Sequence, residues 1–311
     1  MPRYQVIQVD VFTDVVFGGN PLGVFPDAAG LTGQQMQQLT AEMNLSECTF
    51  VLPPETPGAD FKVRIFTPNA ELPFAGHPLV GTHWVLAALG KVALHEPVTE
   101  VMFDLGVGLR KAVLHVVDGA VTQVVTDHQA PQFLATASDE QVARLAGALR
   151  LPVDAITDTG KPVQVVSTGY RQLFVPLRSL AEVAAIDPLS LDVGVLVELC
   201  DELDLPGPDV AVFSMETTLP GRDVHMRFFA PHHGIPEDPA TGSASGGLAS
   251  YLVHHGVVAA TPPVTTIRTE QGIEMNRPSK VTILVEGTVE QIDMVRVTGD
   301  VVPVMTGEFA W

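Results

Sequence analysis

Two stretches of this 311-residue chain place groups able to handle protons and anions beside the start of a helix. The first is Glu71-Leu-Pro-Phe-Ala-Gly76, followed by His77. The second is Glu237-Asp-Pro-Ala-Thr-Gly242, followed by Ser243. Each reads as a strand, a proline-containing loop, a glycine and a helix. The first turn of a helix carries backbone N–H groups without internal partners, and the helix dipole adds partial positive charge. A glycine there lets an anion come close to the backbone. Two such turns facing each other across a cleft would hold a carboxylate-bearing substrate and stabilise an enolate-like charge. Glycines at these places also serve as plain tight turns. The polar neighbours His77, Asp238 and Ser243 favour the chemical use.

The elements that position these groups recur in the same order. Alternating residues 4–12 read as a strand, and Thr32 caps a helix to about Met43. Strands are expected at 48–52 and 61–67, a helix from His77 to Leu89 closed by Gly90, and two or three strands over 98–127 with an Asp118-Gly119 turn. A connector, 128–162, holds one helix at 139–149, with Ser138 and Gln141 at capping-box spacing. Strands then return at 163–167, 172–177, 209–214 and 223–229, helices at 189–203 and 243–255, and a strand-rich tail with a Glu286-Gly287 turn. Glu71 and Glu237, Gly76 and Gly242, Gly81 and Gly247, Gly90 and Gly256, and Gly106 and Gly272 all stand 166 residues apart. Arg64-Ile-Phe-Thr-Pro68 likewise matches Arg227-Phe-Phe-Ala-Pro231. So long a period implies two homologous domains, not a solenoid.

The repeat exposes an asymmetry. Aligning Phe50 with Phe213 places Glu47 opposite Val210. Glu47 stands where helix 32–43 meets the next strand, a position compatible with a half-buried carboxylate of raised pKa that can give and take a proton. A solvated corner glutamate is the alternative. The paired Arg64 and Arg227 suit a structural role, each beside a carboxylate near its turn.

Composition narrows the function classes. A net charge of −19 argues against nucleic acid, whose phosphates need clustered Lys and Arg. A hydrophobic content of 46% is ample for two cores, the number this length suggests. Two cysteines, Cys48 and Cys200, give no disulfide framework and no zinc pattern. The N-terminus lacks the apolar core of a signal peptide, and no apolar run spans a bilayer, so a reduced cytoplasmic protein without a membrane partner is expected. His232-His233 and His254-His255 are adjacent pairs whose rings diverge, without carboxylates at helical ligand spacing, so no metal site is expected there.

With these motifs together, the chain resembles the PhzF-like (phenazine biosynthesis) isomerases, a branch of the diaminopimelate-epimerase-like fold. The resemblance runs through Asp10-Val-Phe-Thr13, Gly19-Asn-Pro21, Asn44-Leu-Ser-Glu-Cys-Thr-Phe50, Phe74-Ala-Gly-His-Pro78, Glu237-Asp-Pro-Ala-Thr-Gly-Ser-Ala244, and Gln271-Gly272 with Arg277-Pro-Ser279. It implies an α+β, internally duplicated fold of two pseudo-symmetric domains, each a curled, mostly antiparallel sheet around a central helix. The domains would be 1–127, joined by a returning strand 292–311, and 128–291. It further implies a homodimer acting on a small molecule with no cofactor and no metal. Glu47 would be the general acid/base of a trans-2,3-dihydro-3-hydroxyanthranilate-isomerase-like proton transfer, assisted by His77 and Asp238. Gly76, Gly242, Ser243 and Asn20 would bind substrate. Amino-acid epimerases of the wider fold carry a Cys at each helix start. Here those positions are Ala75 and Thr241, which disfavours a two-thiol racemase. An epimerase or tautomerase of another pathway, and a non-catalytic metabolite-binding homologue, are the other readings.

Overall fold

A computed structural model describes residues 2–231 and 235–310. The His232-His233 pair lies outside the described residues. The chain divides into two compact units, Met1–Asp127 with Thr298–Trp311, and His128–Val297.

The first unit runs β1 (Arg3–Val11), β2 (Asn20–Phe25), α1 (Gly33–Met43), β3 (Glu47–Leu52), β4 (Phe61–Phe66), β5 (Glu71–Leu72), α2 (Gly76–Ala88), β6 (Val98–Leu105), β7 (Gly108–Val117) and β8 (Ala120–His128). The second holds β9 (Gln132–Thr136), α3 (Asp139–Ala148), α4 (Asp154–Thr157), β10 (Gln164–Ser167), β11 (Arg171–Pro176), α5 (Leu180–Ala185), α6 (Val193–Glu202), β12 (Val210–Ser214), β13 (Val224–Ala230), β14 (Ile235–Asp238), α7 (Gly242–His254), β15 (Val264–Gln271), β16 (Ser279–Gly287) and β17 (Ile292–Gly299). The last strand, β18 (Val301–Ala310), pairs antiparallel with β1.

Mixed pairing makes this an α+β chain. In the first unit β1 pairs antiparallel with β2, β2 runs parallel to β3, and β4 joins β3 and β5 antiparallel and β6 parallel. In the second unit β10, β11, β12, β13, β14 and β15 pair in that same order and sense. The hairpins β6–β7 and β15–β16 follow in turn.

Local chemistry explains where elements stop. Thr32 and Ser138 each close a capping box with Gln35 and Gln141. Gly90 and Gly256 follow their helices with φ of 68° and 61°, the left-handed conformation that ends a helix at low cost in glycine. Asp118 and Gly119 take φ of 52° and 73° between Val117 and Ala120, a two-residue hairpin turn.

Helix α2 packs on β1, β2 and β3, and α7 on β10, β11 and β16. Both contacts need a glycine. A Cβ on Gly81 would come within 2.6 Å of Leu22, and one on Gly247 within 2.5 Å of Phe174.

Some elements depart from the sequence reading. The connector also holds β9 and α4, and the helix expected from 189 starts at Val193, where the Asp192 carboxylate accepts from Val195 N–H. Strands β5 and β14 are too short to show a period. The expected Glu286-Gly287 turn sits one step later: both residues end β16, and Thr288 N–H bonds Gln291 O at 2.7 Å.

Candidate active site

In the first unit, three polar side chains meet at one end of the sheet. Asn44 ends α1 in the left-handed conformation (φ 50°), which asparagine tolerates, and three residues later Glu47 opens β3 opposite Leu22 of β2. Asn20 opens β2, and His77 is the second residue of α2. The Thr49 and Thr82 hydroxyls bond at 2.8 Å and fix α2 against β3. As a result His77 Nδ1 lies 3.3 Å from Asn20 Nδ2, and His77 Nε2 lies 3.4 Å from Glu47 Oε2.

Burial drives the His77 pKa down to about 3, so the ring is neutral at ordinary pH. Its contact with Glu47 is therefore between a neutral ring and a carboxyl group, not an ion pair. With Asn20 donating to Nδ1, the single ring proton sits on Nε2, the ring nitrogen on the Glu47 side. Glu47 keeps a side-chain exposure of 12%, enough to reach a ligand yet mostly out of water.

The β1–β2 loop is shaped to deliver Asn20. The buried Asp10 carboxylate accepts the Phe17 N–H at 2.7 Å. Gly19 has φ 58°, and a Cβ there would lie 2.2 Å from Val11 O. Cys48, beside Glu47, is fully buried and its thiol is pushed up to about 12 by burial, so it is a packing residue.

In the second unit, Asp238 ends β14 and Thr241 precedes α7. The Thr241 hydroxyl donates to the Asp238 carboxylate. Buried Gln271 bonds the same turn, and buried Gln172 donates to Ser243 Oγ at 3.2 Å. Gly272 (φ 74°) comes close to Pro239 O, which Ser279 Oγ also reaches. The Gln271-Gly272 and Arg277–Ser279 motifs thus form the back of this turn.

Side-chain capping separates these two helices from every other helix except the four-residue α4. Helices α1, α3, α5 and α6 have side-chain caps from Thr32, Ser138, Ser179 and Asp192. Neither Ala75 before α2 nor Thr241 before α7 makes a side-chain cap bond. Gly76 and Gly242 thus each open a helix whose first N–H groups receive no cap oxygen, which suits an anionic ligand.

Arg227 pairs with a carboxylate near its turn, as its place in the sequence led us to expect, but sequence reasoning missed that the pair is buried and that His225 forms a second ionic cluster beside it. Arg227 holds Glu237 by two bonds of 2.8 Å and donates to Val183 O and Ile186 O. His225 lies 2.8 Å from Glu270 and 3.2 Å from Glu274. Burial alone would lower the His225 pKa, but its bonds to Glu270 and Glu274 outweigh burial and raise it to about 9. The signal was present: His225 and Arg227 interrupt an otherwise apolar strand, Val224–Ala230. Arg64 makes the matching bidentate pair with Glu71, but in an exposed setting.

Other candidates are committed elsewhere. His83 stacks on Phe103 at 3.6 Å, His254 on Phe133 at 3.8 Å, and His255 bonds Gln164 at 2.7 Å. A cavity of about 650 Å³ in the first unit is lined by Lys62, Arg64 and Glu71 among others, whose charges are already paired, and by none of Asn20, Glu47 and His77. Among the described residues no cluster of His, Cys, Asp and Glu is arranged to hold a metal, and no helix is long and apolar enough to cross a membrane.

The comparisons agree along the chain. A family model described as phenazine biosynthesis-like protein matches residues 9–307. The trans-2,3-dihydro-3-hydroxyanthranilate isomerase of Pseudomonas fluorescens is 35% identical over 298 residues, covering 96% of each chain. The phenazine biosynthesis protein of the PhzF family from Bacillus anthracis superposes with a TM-score of 0.85 at 27% identity, over 100% of both chains. A hydroxyproline epimerase from Agrobacterium vitis shares the fold, with a TM-score of 0.61 at 15% identity over 98% of this chain and 92% of its own.

Proposed function

Because this chain belongs to the phenazine-biosynthesis-like PhzC-PhzF family and is an isomerase of PhzF type, we propose that Glu47 is its general acid/base. The reaction is a proton shift within a small carboxylate-bearing, unsaturated metabolite, of the kind named for the Pseudomonas fluorescens relative. Glu47 removes a proton from one carbon, and the electron pair of that C–H bond moves into the conjugated system. The same carboxyl then returns the proton to another carbon, so the reaction balances without a cofactor. One side chain can serve both carbons when the intermediate stays bound and water is kept out.

The observation that carries this reading is the mostly buried Glu47 facing the Nε2 of a buried, neutral His77. A neutral imidazole beside Glu47 adds no positive charge that would weaken it as a base. Asn20 sets the ring's orientation and borders the substrate. Gly76 offers uncapped N–H groups to the substrate's anionic part. In the second unit Asp238 orients substrate, and Gly242 and Ser243 bind its polar groups. Ala75 and Thr241 replace the thiols that a two-base racemase needs. We read the two units as copies of one ancestral domain. Their identical order of strand pairing and the constant spacing of their glycines support this, as they support a central helix in each unit. The chain acts as a homodimer in the cytoplasm.

The test is to incubate the enzyme with trans-2,3-dihydro-3-hydroxyanthranilate in heavy water and follow isomerisation and deuterium uptake. Glu47→Gln should lower the rate by about 10²- to 10⁴-fold. A variant as fast as the parent removes Glu47 from the role.

A further inference from the structure

Gln271 closes β15 fully buried, with every polar atom of its side chain committed to one turn. Its Oε1 accepts the Thr241 N–H at 2.9 Å. Its Nε2 donates to Asp238 O at 2.7 Å and to Thr241 Oγ1 at 3.1 Å. The amide cannot be turned over, since that would set donor against donor at Thr241 N and acceptor against acceptor at Asp238 O. Because Nε2 already fills a lone pair of the Thr241 hydroxyl, the single hydroxyl proton is left for the Asp238 carboxylate, where its bond lies. The backbone behind Gln271 is fixed as well: Ser279 Oγ lies 2.9 Å from Gln271 O and also reaches Pro239 O.

We propose that Gln271 is a positioning residue that holds the Asp238 carboxylate in its working orientation through Thr241. The inference rests on the function proposed above for Asp238, and extends it to a side chain that touches no substrate. The first unit argues that the clamp is not needed by the fold. The residue 166 positions earlier is Leu105, which is buried at the end of β6 and has no amide to offer. A turn of this pattern therefore forms with an apolar side chain at that place.

The experiment compares the full-length parent with Gln271→Leu and Gln271→Glu, using trans-2,3-dihydro-3-hydroxyanthranilate. Gln271→Leu should fold and lose about 10- to 100-fold in kcat with KM little changed, the cost of a misplaced catalytic group. Gln271→Glu, when ionised, lacks the donor for Thr241 Oγ1 and Asp238 O. Its carboxylic acid form regains one, so its kcat relative to the parent should rise as pH is lowered toward about 5. Amide exchange at Thr241 should quicken in Gln271→Leu. Parental kcat in Gln271→Leu overturns the proposal, and so does unchanged exchange at Thr241. A parent that leaves the compound unaltered overturns the substrate reading instead, and the exchange comparison still decides the clamp.

Discussion

At the start of α2 the polar side chains form a line of three; at the start of α7 two buried glutamines tie side chains and backbone into one turn. Asn20, His77 and Glu47 form a short line in which each touches the next. Gln271 and Gln172 instead hold Thr241, Asp238 O and Ser243 in place. The difference continues behind the turns. The Arg64–Glu71 pair has side-chain exposures of 27% and 43%, whereas the Arg227–Glu237 pair has 3% and 6% and sits beside His225, Glu270 and Glu274. One order of strands thus supports a line of three polar side chains in one unit and a turn braced by buried glutamines in the other. A buried charge is costly unless it is paired and hydrogen-bonded, which fits the larger network of the second unit.

The sharpest way to break this comparison is to cut both arginines. Arg227→Met leaves Glu237 buried and unpaired and should cost about 3–5 kcal/mol in urea denaturation. Arg64→Met, at the exposed pair, should cost about 1 kcal/mol or less. Equal losses would mean that burial does not distinguish the two.

The histidines predict opposite pH limits. His225 is held above its unfolded value of 6.5, so its contribution is complete below 6.5 and is lost as pH rises through about 9. Roughly 3 kcal/mol should disappear over that range, and His225→Gln should flatten it. Burial depresses His83 to about 4, so its neutral form favours folding above 6.5 and that advantage is lost as pH falls. By pH 5 it should cost about 2 kcal/mol, a loss that His83→Gln removes. His77 adds an acid penalty of the same sign. Denaturation curves across pH for the parent and the two variants check both limbs.

Smaller effects sharpen the contrast. His77→Gln should lower kcat by about 10²-fold, because the group facing Glu47 changes shape and polarity. Steady-state kinetics that give a parental value would detach His77 from the chemistry. Ala75 has the extended backbone of a helix cap (φ −154°) but no side-chain oxygen. Ala75→Ser should therefore raise stability by about 0.5–1 kcal/mol and lower activity, since its hydroxyl would take an N–H left for the ligand. Thermal melts and turnover measured on the same sample decide it; a gain in both would mean that this N–H binds nothing.

Much of the frame could be read from residue order. Thr32 caps its helix and Ser138 closes a capping box with Gln141 as the sequence predicts, because a cap involves only neighbours in the chain. Asp118-Gly119 turns for the same reason. The arginine pairings with Glu71 and Glu237 were readable because each arginine precedes a carboxylate near its turn, 7 residues on in one case and 10 in the other. The His225 cluster was not. Glu270 lies 45 residues from His225 and meets it only because β13 and β15 run parallel with His225 in register with Glu270.

The sequence alone therefore marked the turns, the glycines at them and the polar residues beside them, since these are matters of local propensity and spacing. It could name Glu47 and His77 but not join them. Their contact across 3.4 Å, the neutrality of His77, and the commitment of Gln271 to the Asp238 turn were decided by tertiary packing. A pKa depends on what is buried around a group, and a hydrogen bond between strands depends on register. Neither is a property of residues read one after another.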